Sequence, residues 1–223
     1  MSDLTNRTKA VLMLGGVIDL PVKDIRELLA RNELLVCADS GSHFALAHKL
    51  VPDAIVGDLD SITPEDLLEA TAETVQIVKI NEQETGDCEK SFKWLLSIGV
   101  TDVVVLGIGG GRNDHALANL NILMRFRDQF NSLIALELEN EIHFHSHGSE
   151  IMIEGWPGRR ISFMPFPSAL AIISHGLEFP ITGNLTIAER DSLSNRMLSS
   201  SAGLLFESGA MIVFLERTKR EVN

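Results

Sequence analysis

Apolar runs and helix-spaced apolar positions alternate along the first half of the chain. Ala10-Val11-Leu12-Met13-Leu14 reads as a buried strand stopped by Gly15-Gly16. Pro21 suits the first turn of a helix, and Ile25, Leu28 and Leu29 supply its apolar face. Leu34 to Ala38 is a second strand, and Phe44, Ala47 and Leu50 mark a second helix that Pro52-Asp53 breaks. Ala54-Ile55-Val56 is a third strand. Thr63-Pro64-Glu65-Asp66 reads as a helix start, and Thr74 to Ile80 as a fourth strand. Asp87 is placed to cap a helix with Cys88, Phe92, Leu95 and Leu96 on one face, ended by Gly99. Val103 to Leu106 is a fifth strand. It empties into Gly107 to His115, before a helix bearing Leu117, Leu120, Leu123 and Met124.

This alternation predicts an α/β fold with a parallel sheet and right-handed crossovers. The pattern changes near residue 132. Leu133 to Leu138, Ile142 to His147, Glu150 to Ile153, Arg160 to Met164, Ala171 to Ser174 and Ala210 to Leu215 are short strand-like pieces. Gly148, Pro157-Gly158 and Gly183-Asn184 separate them as turns, which predicts a small antiparallel β domain. The expected domains are 1–131 and 132–223.

In a parallel sheet, ligands bind at the carboxyl ends of the strands. Asp39, Asp58, Asp87 and the Gly-rich turn all follow strand candidates. In Gly57-Asp58-Leu59-Asp60-Ser61 the two carboxylates are two residues apart, so extended backbone aims both into one space. Two such charges ~4 Å apart repel by roughly 4 kcal/mol at an effective dielectric near 20. A bound cation removes that cost, and hard oxygen ligands suit Mg²⁺ beside substrate phosphates. The plainer alternative is an acidic turn opening a helix. Gly109-Gly110-Gly111-Arg112-Asn113-Asp114-His115 combines glycines that let backbone N–H groups approach phosphate, a following helix N-terminus, and a guanidinium suited to phosphate oxygens. Asp114 fits metal binding, orientation of Arg112 or His115, or proton acceptance; as a plain alternative it caps the helix. Asp39-Ser40-Gly41 is as compatible with a turn as with a ribose or phosphate contact.

Charge narrows the partners. The chain carries 19 basic and 31 acidic residues, net −12, which argues against general nucleic-acid binding and suits a cationic substrate. No apolar run approaches the ~20 residues of a membrane span. The first residues lack a signal-peptide pattern. Two cysteines, Cys37 and Cys88, suggest no disulfide framework, and a reducing cytoplasm is the expected compartment. His143, His145 and His147 share one face of a probable strand and, with Glu150, weakly resemble a cupin metal run; solvent-facing histidines are the favoured account.

Taken in order, several pieces resemble the thiamine pyrophosphokinase family. They are Ala38-Asp39-Ser40-Gly41, Pro52 to Ser61, Gln83 to Asp87, Gly110 to His115 with Asn119, His175 to Pro180, and Ser194-Asn195. The resemblance implies a Rossmann-like nucleotide domain, a C-terminal antiparallel β-sandwich and a homodimer. It implies Mg²⁺-dependent transfer of pyrophosphate from ATP to the hydroxyl of thiamine, leaving AMP. It makes Asp58, Asp60 and Asp87 metal ligands and, with Asp114, catalytic carboxylates. It assigns Asp39, Gly41, Gln83, Gly110, Gly111, Arg112, His115 and Asn119 to ATP, and Ser194 and Asn195 to thiamine. The family usually shows Thr-Asp where this chain has Gly86-Asp87, and Asp-Gly-Gly where it has Asp39-Ser40-Gly41. Alternative readings are another alcohol as acceptor, a non-catalytic nucleotide or thiamine sensor, and a cupin-like metalloenzyme.

Overall fold

The computed structural model describes residues 7–32, 34–62 and 75–217. The helix start expected at Thr63-Pro64, and Thr74, lie outside the described residues. The chain forms two compact units, Met1–Leu138 and Glu139–Asn223.

In the first unit, six strands run β1 (Lys9–Met13), β2 (Leu34–Ala38), β3 (Ala54–Gly57), β4 (Gln76–Lys79), β5 (Asp102–Leu106) and β6 (Ser132–Leu136). Their order is β4-β3-β2-β1-β5-β6, with every described pairing parallel. Helices α1 (Val22–Leu29), α2 (Gly41–Ala47), α3 (Asp87–Ser97) and α4 (Asn113–Phe126) connect them. All five residues of β2 are buried, as expected of a strand covered on both faces. Val11, Met13, Ile25, Leu35, Cys37, Ala45, Ile55 and Leu106 belong to one core. The chain winds outward from β1 to β2, β3 and β4, then returns to β1's other side as β5. That reversal opens a crevice between the ends of β1 and β5, where doubly wound sheets bind ligands.

The second unit has seven strands: β7 (Asn140–Ser146), β8 (Glu150–Glu154), β9 (Arg160–His175), β10 (Thr182–Thr186), β11 (Ser192–Arg196), β12 (Ser201–Leu205) and β13 (Ser208–Glu216). They pair antiparallel in the order β7-β13-β9-β12-β8, with β10 and β11 also on β9. Phe163, Ile172, Leu204, Phe206 and Met211 fill its core. The architecture is therefore α/β, with parallel and antiparallel strands segregated along the chain.

Three expectations change. Leu133 to Leu138, read as the start of the antiparallel part, instead forms β6, whose whole length pairs parallel to β5, so the division falls after Leu138. The pieces at Arg160 and Ala171 are one 16-residue strand; Pro165 keeps its place opposite Met211 of β13, and the register shifts between Pro165 and Ala169, the stretch that holds Pro167. The turn expected at Gly183-Asn184 lies in β10. Among the described residues, no helix is long and apolar enough to cross a membrane.

Candidate active site

The crevice between β1 and β5 is a cleft of about 430 Å³. Its lining includes Gly15 and Gly16 after β1, Ser40 after β2, Asp87 on α3, Ile108, Gly109 and Gly111 after β5, and His115 and Asn119 on α4. The two glycine loops are zipped together: Gly16 N–H donates to the Gly107 carbonyl (3.0 Å) and Val17 N–H to the Gly109 carbonyl (2.7 Å). A Cβ at Gly16 would sit 2.3 Å from the Gly107 oxygen, so only glycine permits this approach. The Asn119 side-chain amide donates to the Ile108 carbonyl at 2.9 Å, fixing the loop from the helix.

At the ends of β2 and β3 and the start of α3, Asp39, Asp58 and Asp87 bring carboxylate oxygens within 4.8 Å of one another. Gly57 makes the room: a Cβ there would lie 2.9 Å from Asp39 Cβ and 3.0 Å from Asp87 Oδ1. Asp39 is 2% exposed, and its Oδ1 is buried without a hydrogen-bond partner among the described residues. Burial raises its pKa, and the nearby Asp87 charge adds to the rise. Lys90 Nζ donates to Asp58 Oδ2 and Asp87 Oδ1, both at 3.2 Å. Burial opposes ionisation of Asp58, but hydrogen bonds from Lys90 and the Asp60 backbone prevail and hold its carboxyl below the usual range.

Asp60 does not take the expected place. Leu59 has φ +66°, so the chain turns instead of continuing extended, and the two-residue alternation is lost. Asp60 is exposed, accepts from the Ser61 hydroxyl (3.1 Å) and sends its N–H toward Asp58 Oδ1 (3.4 Å). Asp39, expected at the nucleotide, is the third member instead. Asp114 also lies outside this group. It pairs with Arg112 through Nε (3.1 Å) and Nη2 (2.5 Å) on the exposed N-terminus of α4, which lowers its pKa to about 2.

Of the residues assigned to ATP, Arg112, His115, Asn119 and Gly111 line the cleft; Gly110 packs on Val17, and Gly41 packs on the Met13 carbonyl at the start of α2. Gln83 is exposed and does not line the cleft. In the second unit, Ser194 N–H donates to the Ser162 hydroxyl at 2.9 Å. Asn195 is 1% exposed and clamps the Phe179 backbone, accepting its N–H (3.1 Å) and donating to its carbonyl (2.7 Å). Its polar atoms are thus engaged within the fold. His143 Nε2 lies 2.7 Å from Glu141 Oε1, and both line a small pocket of about 230 Å³ with Arg159. Among the described residues, the histidines form no metal-ligand group. Sequence reasoning passed over Lys90. Its only signal was a position three residues after Asp87, which puts both on one helix face.

Likeness to known proteins bears on this geometry. A family model described as the catalytic domain of thiamin pyrophosphokinase matches residues 25–135. The thiamine pyrophosphokinase of Bacillus subtilis is 24% identical over 206 residues, covering 91% of this chain and 95% of that one. Thiamin pyrophosphokinase 1 of Caenorhabditis elegans is 33% identical over 95 residues, and the chain spans only 37% of its length. The crystal structure of yeast thiamin pyrophosphokinase superposes with a TM-score of 0.81 at 18% identity, over 97% of this chain and 89% of that one, a likeness of fold. A parallel sheet with its crevice at the β1/β5 reversal, a carboxylate group beside that crevice and a family match that takes in all three carboxylates and the β5 side of the crevice have one joint conclusion: the chain belongs to the thiamine pyrophosphokinase family.

Proposed function

We propose that this chain transfers pyrophosphate from ATP to the hydroxyl of thiamine, giving thiamine diphosphate and AMP, with Mg²⁺ as the metal. One observation carries the reading: Asp87 belongs both to the three-carboxylate group and to the wall of the cleft. The donor set fits a hard divalent cation, with three carboxylates and one buried oxygen, Asp39 Oδ1, lacking a partner among the described residues. Asp39, Asp58 and Asp87 would hold the ion, and Asp60 stands outside them. When bound, the ion neutralises phosphate charge.

The remaining tasks fall to the chain. Backbone N–H groups of the glycine loops and the N-terminus of α4 receive the phosphates. Arg112, at the mouth of α4, offers two parallel donors to the migrating group. A carboxylate of the cluster accepts the proton of the thiamine hydroxyl. The acidic surroundings favour the positive thiazolium. Ser194 is the better thiamine contact of the predicted pair, because Asn195 is engaged. A homodimer is supported by apolar exposure in the second unit. Ile173 and Leu205 are register neighbours on β9 and β12, 66% and 49% exposed, beside Met152 on β8.

The test is AMP release from Mg-ATP with and without thiamine, with the product identified by mass. No AMP at saturating substrates would sink the proposal. A binding-only role is the second reading, and one feature favours it: Gly86 places no hydroxyl beside Asp87. ATP binding without AMP release would select it. Release with a different alcohol in a substrate panel would keep the chemistry and replace thiamine.

A further inference from the structure

Three carboxylates and one ammonium share the space beside the cleft. Asp39, Asp58 and Asp87 contribute three negative charges and Lys90 one positive charge, leaving a net of −2. The Lys90 side chain is 2% exposed, and a lysine is almost never so buried unless paired. It does not line the cleft, so it is not placed to touch a phosphate. Its two bonds tie Asp58, after β3, to Asp87, on its own helix. Asp39 Oδ1 is buried without a partner among the described residues. The ammonium therefore serves two carboxylates and leaves the third with an open oxygen.

We propose that Lys90 is a resident counter-cation: a positioning residue that keeps Asp58 and Asp87 aimed at a common point when no divalent ion is present. The inference rests on the metal-site reading given above. It assigns Lys90 two opposed effects. The ammonium holds the ion-free site together against carboxylate repulsion. It also repels an incoming divalent ion, weakening the site's grip, so that the ion can leave with product. Removing the charge should loosen the empty site and tighten the filled one.

The test is thermal melting of the full chain without nucleotide, in chelator and across a Mg²⁺ titration, at one pH. The variants are Lys90→Gln, the double variant Lys90→Gln with Asp87→Asn, and Asp58→Asn. Wild type should show a saturable rise with Mg²⁺. Lys90→Gln should melt lower in chelator, rise further with Mg²⁺, and reach half-saturation at a roughly tenfold lower concentration. The double variant, with the net charge restored, should regain melting temperature in chelator. A purely structural lysine would lower the melting temperature without changing the Mg²⁺ midpoint, and that result overturns the proposal. So does a Lys90→Gln chain unfolded at saturating Mg²⁺ whose double variant is no more stable. Should wild type and Asp58→Asn both be indifferent to Mg²⁺, the metal-site reading fails by itself. The chelator comparison of the single and double variants then still decides whether Lys90 acts as a counter-charge.

Discussion

Asp58 with Asp87, and Glu141 with His143, are polar groups set on or beside regular elements, yet they end in different electrostatic states. Glu141 and His143 are neighbours on one strand face and meet each other at 2.7 Å; this contact holds Glu141 below the usual carboxylate range. Asn195 is engaged in the same local way with Phe179. The carboxylates of the first unit come from three different crossovers of a parallel sheet, and all arrive at one edge. None can satisfy another, so the group needs a cation from elsewhere: Lys90 on α3, and by our proposal Mg²⁺. Convergence of like charges leaves capacity for a ligand, whereas strand neighbours use theirs up.

The comparison breaks most sharply at Asp58. Asp58→Asn should reduce turnover about 10³-fold. It should also cost about 2 kcal/mol of stability, because the buried Lys90 loses one of two charge-assisted bonds. AMP release and urea unfolding measure both effects; near-normal turnover would end the case for the carboxylate group. Arg112→Lys should lower turnover about 10–100-fold by losing the paired donors, with melting unchanged because the Arg112–Asp114 pair is exposed. The same pair gives a pH signature. Asp114 has a folded pKa of about 2 against an ordinary 3.8, so its contribution is present above 3.8 and is lost as pH falls through about 2. In Arg112→Gln its carboxyl resonance should titrate back toward 3.8, and an unmoved titration would contradict the pairing.

Asn195→Ala tests the other side of the contrast. It should cost about 2 kcal/mol in urea unfolding by leaving the Phe179 backbone unpaired. A raised KM for thiamine with unchanged stability would instead return Asn195 to the substrate. The smallest effect is expected of Gly86→Thr. Its φ of −77° is ordinary extended backbone and an added Cβ meets nothing within 4 Å, so stability should stay within about 0.5 kcal/mol. Catalysis appearing only in the Thr variant would favour the binding-only role.

Much of this was readable from residue order. β2 falls on Leu34–Ala38 as its apolar run indicates; a helix does begin at Asp87, but Gly86 takes the cap position and Asp87 is an acid of the first turn. Local pattern carries strand or helix identity, since burial repeats with each element's period. It does not carry the partner or direction of a strand, so β6 was assigned to the wrong unit. Nor does it reveal φ +66° at Leu59, which separates Asp60 from Asp58. Lys90 was missed because a lysine on an amphipathic helix reads as solvated. Only the fold shows that Asp58, 32 positions earlier, waits beneath it.

Gly57 has a last consequence, for how sequences of this kind can drift. The carboxylate group exists because the residue between its members has a hydrogen where any other amino acid has carbon. A substitution at 86 meets open space and is a neutral step, free to be taken and reversed. A substitution at 57 would push Asp39 and Asp87 apart at once, with no smaller step leading to it. A saturation scan scored on activity should therefore return a broad row of tolerated residues at 86 and a single one at 57.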